Sequence, residues 1–165
     1  MGRLNVTLYV NGQVQSHEVE GRTLLVHYLR QHCGLTGTHV GCDTTQCGCC
    51  TVLLDGRAVK ACTVLAAQAQ GCEVTTIEGI GSVERLHPLQ EAFRRHHALQ
   101  CGFCTPGMVM QGLDIVARGR GGDPDAVRHD LEGNLCRCTG YQNIVEAIVE
   151  FARDGAQPRG EPAPR

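Results

Sequence analysis

Tryptophan is absent from this sequence, and only three tyrosines and three phenylalanines stand among its 165 residues. There is little aromatic bulk with which to fill a core. Charge of one sign is also missing: 15 Lys and Arg against 17 Asp and Glu leave a net charge of -2. The basic residues are scattered, with no stripe of interleaved aromatics, so nucleic acid is a poor candidate partner. No apolar run approaches the length of a bilayer span, and no direct membrane insertion is expected. The opening "MGRLNVTLYVNGQ" has neither the apolar core of a signal peptide nor a twin-arginine motif, and goes straight into a strand pattern. The expectation is a cytoplasmic protein, one still able to meet a membrane through a partner that carries an address. Catalytic apparatus is missing too. Gly119, Gly121 and Gly122 follow a helical pattern rather than a strand, so they are no dinucleotide fingerprint. No phosphate loop, nucleophile elbow or carboxylate pair stands out.

What the chain has in abundance is cysteine: eleven residues, four of them within "GCDTTQCGCC" at 41–50. A reducing cytosol disfavours a disulfide framework, and an odd count leaves one thiol over in any full pairing. Metal ligation is the better reading, and spacing indicates which metal.

The pattern divides near residue 80. Residues 3–20 read as a hairpin, with Leu4, Val6, Leu8 and Val10 alternating and Asn11-Gly12 at the turn. A helix is expected over 22–34, stopped by Gly34, and a second hairpin over 50–62, turned at Asp55-Gly56. One more short strand follows from residue 72. This order predicts a small mixed sheet crossed by one helix, a β-grasp. From residue 81 strand signals vanish and four helical segments follow. They start at Pro88, after Thr105 and Asp123 as N-caps, and at Thr139. The prediction is an α+β chain: a ferredoxin-like β-grasp domain at 1–80, a four-helix bundle at 81–153, and a disordered Pro/Gly-rich tail at 154–165. Halves of about 80 residues draw only about 3–5 kcal/mol from a core alone. A bound group in each would hold them together.

In the first half, Cys42, Cys47 and Cys50 give C-x4-C-x2-C, and Cys62 follows. A short triple with a distant fourth thiolate is the plant-type ferredoxin spacing for a [2Fe–2S] cluster. Gly41 and Gly48 let backbone N–H groups approach the sulfides. Zinc favours paired C-x2–4-C knuckles and fits this spacing poorly. In the second half, Cys101 and Cys104 precede one expected helix start, and Cys136 and Cys138 another. Spacing alone leaves structural zinc open here. Two helix N-termini beside the thiols favour an anionic cluster, hence a second [2Fe–2S] centre. Cys33 and Cys72 read as small buried residues. Cys49 has no assigned partner and reads as a filler behind the loop. The histidines read as surface or satisfied core residues. His96 and His97 are adjacent on a helix, point about 100° apart and cannot chelate one ion together.

The stretches "VGCDTTQCGCCTVLLDG", "QCGFCTPGM" and "GNLCRCTGYQNIVEAI" closely resemble the small iron–sulfur subunit of the molybdenum hydroxylase (xanthine oxidase) family. Within it they are most similar to the small subunit of aerobic carbon monoxide dehydrogenase and its relatives, including hydroxylases of aromatic N-heterocycles. The resemblance runs from about residue 4 to 153. One departure is Cys49, where such proteins usually carry a small residue such as alanine. The resemblance implies a large molybdenum subunit and a medium FAD subunit as partners, arranged as a dimer of heterotrimers. It also implies that Gln100 and Cys138 lie against the pterin of the molybdenum cofactor. Electrons would then run from molybdenum through the C-terminal and N-terminal clusters to FAD, with no substrate site in this chain. A free two-cluster ferredoxin and a zinc-stabilised binding module are the alternatives. A colourless purified protein would favour the zinc module, and the absence of a larger complex would favour the free carrier.

Overall fold

A computed structural model describes residues 2–155 of the chain. β1 (Arg3–Val10) and β2 (Gln13–Glu20) pair antiparallel from Val10↔Gln13 to Arg3↔Glu20. Asn11 and Gly12 make the turn at φ +51° and +77°, the positive values a two-residue hairpin of matching twist demands. The Asn11 side chain then ties this turn to Thr76, accepting from its N–H at 2.9 Å and donating to its hydroxyl at 3.0 Å. β3 (Thr51–Leu54) and β4 (Arg57–Lys60) repeat the device at Asp55 and Gly56. Cys62, expected on the return strand, lies just past its end. β5 (Glu73–Thr75) enters the middle of the sheet, parallel to β1 and antiparallel to β3, giving the order β2-β1-β5-β3-β4.

The first helix is shorter than its sequence pattern suggests. α1 (Leu25–His27) passes at once into a π turn over Tyr28–His32, closed by Cys33 N–H to Tyr28 C=O at 3.1 Å. Leu25 and Val26 donate their N–H groups to the carbonyls of Val64 and Ala61 at 2.7 and 3.0 Å. Tyr28 is wedged beneath the hairpin, its hydroxyl proton shared between the carbonyls of Val6 and Gln15 at 3.0 and 3.1 Å. Its burial pushes the phenol up to about 12. Tyr28, Leu25 and Leu29 pack with Val6, Leu8 and Val52 as the first core.

The second half contains α2 (Pro88–Arg95), α3 (Thr105–Ala117), α4 (Pro124–Asp130) and α5 (Tyr141–Arg153). α2, α3 and α4 each pack on α5, around Phe93, Met108, Ile115, Ile144 and Ile148. The Asp123 carboxylate caps α4 as expected, accepting from Asp125 N–H at 3.0 Å. Two helix starts differ from expectation. Cys104, not Thr105, is the cap of α3, and α5 begins after Gly140, leaving Thr139 outside at φ +58°. The tail expected from residue 154 lies, from residue 156 onward, outside the described residues.

The halves meet where α3 crosses the outer side of β3 and β4. Asp114 of α3 is buried there and accepts from Arg57 of β4 at 3.1 Å and from Arg118 at 2.8 Å. Among the described residues no helix is long and apolar enough to cross a membrane.

Candidate metal centres

Residues 41–50 curl tightly. Asp43, Thr45 and Gly48 take positive φ values of +61°, +62° and +70°, and the backbone folds over the first thiol. Thr44 and Cys47 N–H groups point at Cys42 Sγ, 3.4 and 3.3 Å away. These donors, Thr44 first, hold the Cys42 thiol down to about 6, favouring the thiolate that binds metal. The Cys42 and Cys47 thiols touch each other. Cys50 and Cys62 form a second touching pair, brought together as Ala61 N–H donates to Cys50 C=O at 3.2 Å. Burial pushes Cys50 up to about 12, so its proton stays until a cation replaces it.

In the second half, Cys101 meets Cys138 and Cys104 meets Cys136. Gly140 N–H reaches Cys136 Sγ at 3.4 Å, and the Tyr141 hydroxyl accepts from Cys136 N–H at 2.8 Å. Cys104 caps α3 and Cys138 stands just ahead of α5, so both helix N-termini start beside this thiol set. Burial again pushes Cys104 up to about 12. Gln100 is exposed and donates from Nε2 to Cys138 C=O at 3.1 Å. A cavity of about 520 Å³ lies between the two thiol sets, lined by Cys47, Cys49, Cys101, Cys104, Cys136 and Phe103 among others.

None of the eleven cysteines is joined in a disulfide. Among the described residues no three His, Cys, Asp or Glu side chains gather about a single ion position. The eight expected ligands instead form four pairs. Zinc in a structural site needs four ligands about one point. A [2Fe–2S] cluster has two irons and shares its four cysteines two to each, so paired thiols suit it. Two further features fit an anionic sulfur cluster. Thr105 Oγ1, beside Cys104, is buried without a hydrogen-bond partner among the described residues, leaving a hydroxyl free to donate. Gly41 leaves room at the first loop: a Cβ there would lie 2.9 Å from Cys47 Sγ. Cys49 belongs to none of the four pairs. It is buried, its thiol lies against that of Cys47, and burial pushes it up to about 12. Cys33 is half-buried and pushed up to about 11 by burial, and Cys72 is buried; both belong to the first core.

Sequence reasoning missed the polar cluster beside the first loop. Lys60 Nζ donates to Asn134 Oδ1 at 2.6 Å and to Thr51 Oγ1 at 3.0 Å. Asn134 stands two residues before Cys136, inside a stretch singled out for its cysteines. That adjacency was the available signal.

Residues 8–76 match the family described as "2Fe-2S iron-sulfur cluster binding domain", and residues 76–149 match "[2Fe-2S] binding domain". The nicotine 6-hydroxylase small subunit of Paenarthrobacter nicotinovorans is 46% identical over 148 residues, covering 90% of this chain and 89% of that one. Xanthine dehydrogenase/oxidase of Rattus norvegicus is 38% identical over 161 residues, covering 91% of this chain but 12% of that much longer protein. The crystal structure of quinoline 2-oxidoreductase from Pseudomonas putida 86 contains a chain that superposes with a TM-score of 0.86 at 46% identity, covering 93% of this chain and 98% of that one. Tandem cluster-binding domains in this order, over nearly the full length of a named small subunit, leave one assignment: the chain belongs to the two-cluster iron–sulfur subunits of the molybdenum hydroxylase (xanthine oxidase) family.

Proposed function

We propose that the chain is the electron-transfer subunit of a molybdenum-containing hydroxylase or dehydrogenase and holds no substrate site of its own. The observation that carries this reading is the pairing of two cluster-binding domains over 89% of the length of a subunit named for a hydroxylase. When bound, the two [2Fe–2S] clusters supply one-electron steps between a molybdenum cofactor in a large subunit and FAD in a medium subunit. The chain's own residues hold, orient and insulate. Cys42 and Cys47 would hold one side of the N-terminal cluster, and Cys50 and Cys62 the other. Cys101 with Cys138 and Cys104 with Cys136 do the same in the C-terminal half. Gln100 and Cys138 face the pterin, and the Gln100 hydrogen bond to the Cys138 carbonyl supports their acting as one surface.

Within this reading the domains divide at residues 80 and 81, as a β-grasp and a four-helix bundle. The complex is a cytoplasmic dimer of heterotrimers. Its substrate is set by the large subunit, and the relatives named for nicotine, quinoline and aldehydes share this kind of iron–sulfur chain. A freely diffusing ferredoxin fits less well, because the similarity runs to a named subunit along nearly its whole length.

Co-expression with a molybdenum and an FAD subunit of this family from the same source tests the reading. The expected result is one complex containing all three chains, with two distinct paramagnetic resonance signals appearing when substrate reduces it. A chain that purifies alone with both clusters, or a complex whose clusters substrate does not reduce, overturns it.

A further inference from the structure

Lys60 is the only lysine among the chain's 15 basic residues. It ends β4, two residues before Cys62, and is half-buried. Its two hydrogen-bond partners are neutral, Thr51 Oγ1 at 3.0 Å and Asn134 Oδ1 at 2.6 Å. Each partner is 2% exposed. Both are anchored in turn on one carbonyl: Thr51 donates to Gly48 C=O at 2.7 Å and Asn134 Nδ2 at 3.1 Å. Thr51 comes from the N-terminal half and Asn134 from the C-terminal half, so docking of the halves fixes the ammonium in place.

Among the described residues this ammonium has no carboxylate partner. A charge drawn partly out of water normally finds a counter-charge. Lys60 faces Thr51 across the β3–β4 ladder, so it lies next to Cys50 on one side and two residues before Cys62 along its own chain direction. Both cysteines are proposed ligands of the N-terminal cluster, whereas the ammonium reaches the C-terminal half only through Asn134, two residues short of Cys136.

We propose that Lys60 is a positioning residue for electron flow: a fixed positive charge, braced by Thr51 and Asn134, that raises the reduction potential of the N-terminal cluster relative to the C-terminal one. The proposal rests on the reading that Cys42, Cys47, Cys50 and Cys62 hold a [2Fe–2S] cluster. Reduction adds one electron, and so one negative charge, to that site while the ammonium stays. Attraction therefore favours the reduced form. A unit charge at about 10 Å in a medium of effective dielectric about 20 shifts such an equilibrium by about tenfold. For a one-electron couple tenfold is about 59 mV. The field weakens with distance, so the C-terminal cluster gains less. The difference makes transfer from the C-terminal to the N-terminal cluster more downhill, the direction that delivers electrons toward FAD.

The test is a redox titration of the purified complex followed by paramagnetic resonance, with the N-terminal signal identified by its loss in Cys50→Ser. Lys60→Gln keeps a hydrogen-bond donor and removes the charge. The expected result is an N-terminal midpoint lowered by the equivalent of about tenfold, about 59 mV, a smaller change at the C-terminal cluster, and recovery in Lys60→Arg. Unmoved potentials, equal movement of both, or an Arg variant that behaves like Gln overturns the proposal. Should Lys60→Gln fail to hold iron, Asn134→Asp sets a counter-charge against the intact lysine and must lower the same potential. No shift there overturns the proposal too. Iron and sulfide analysis of the unmutated complex separates the two ideas. A missing N-terminal cluster removes the underlying reading and the proposal with it. A full complement with unmoved potentials removes the proposal alone.

Discussion

The backbone N–H of Leu135 donates to the carbonyl of Cys47 at 2.8 Å. This bond crosses from one half of the chain to the other and joins two proposed ligand segments, since Leu135 immediately precedes Cys136. The approach is close because side chains are missing where the halves touch. A Cβ on Gly48 would lie 2.5 Å from Gly133 C=O, and a Cβ on Gly107 would lie 2.3 Å from Gly48 C=O. The contact that holds the two thiol sets at a fixed spacing is therefore backbone against backbone.

Gly107→Ala tests that contact. In a helix interior alanine is favoured over glycine by about 1 kcal/mol. Here the added methyl would overlap the Gly48 carbonyl and crowd Cys49 Cα at 3.1 Å. Overlap of this kind costs about 1–3 kcal/mol, so the clash should win. The melting temperature of the cluster-loaded protein should fall. A rise would mean that the junction gives way easily.

Cys49 and Cys50 are adjacent and both buried, but Cys50 touches Cys62 while Cys49 lies against Cys47. Cys49→Ala should retain both cluster signals and the full iron content. Cys50→Ser should lose or distort the N-terminal signal alone. The reverse pattern, with Cys49→Ala abolishing the signal and Cys50→Ser sparing it, would exchange their assignments.

Much of this was legible before the fold was seen, for local reasons. Asn11-Gly12 and Asp55-Gly56 fix their hairpins through φ values those residues adopt cheaply, and thiol spacing is a local property of a loop. The features that were not legible depend on partners far away in sequence. The first helix turns into a π turn after Leu25–His27, and its orphan leading N–H groups find acceptors on Val64 and Ala61, far along the chain. Thr105 looks like a cap, but Cys104 takes that place and the Thr105 hydroxyl is buried. Lys60 and Asn134 lie 74 positions apart, and neither carries a pattern that announces the other.

Asp130 gives a pH dependence with a definite sign. Burial would push its carboxyl up, but hydrogen bonds and charge from Arg120 and Arg118 outweigh this and hold it below its ordinary value. Arg120 Nε lies 2.7 Å away and Arg118 2.9 Å away. A carboxyl lowered in the folded state stabilises above its unfolded pKa of about 3.9. That stability is lost as pH falls through the lower folded value. Asp130→Asn should therefore melt at lower temperature than the unmutated protein at pH 7. The gap should stay level down to about pH 4 and narrow only below it. A gap that widens toward acid would mean that the ion pairs do not stabilise the fold.

Removing iron tests how far the fold depends on its bound groups. Each set joins segments distant in sequence, Cys50 to Cys62 and Cys104 to Cys136, in halves too small to be secured by a core alone. Chelation under reducing conditions should collapse the helical circular dichroism signal. Full retention of that signal after complete iron loss would show that the two cores suffice.

Gln100 separates transfer from assembly. It is exposed, and its Nε2 binds the carbonyl of Cys138, not a thiol. An exposed hydrogen bond of this kind is worth about 1 kcal/mol or less, so Gln100→Ala should fold and load both clusters normally. What the variant should lose is the contact proposed between this surface and the pterin of the large subunit. In the assembled complex, reduction of both clusters by substrate should slow. Reduction of the same clusters by dithionite, which bypasses molybdenum, should keep its normal rate. Slowing with both reductants would point to a disturbed cluster. Slowing with neither would place the route from molybdenum elsewhere on the chain.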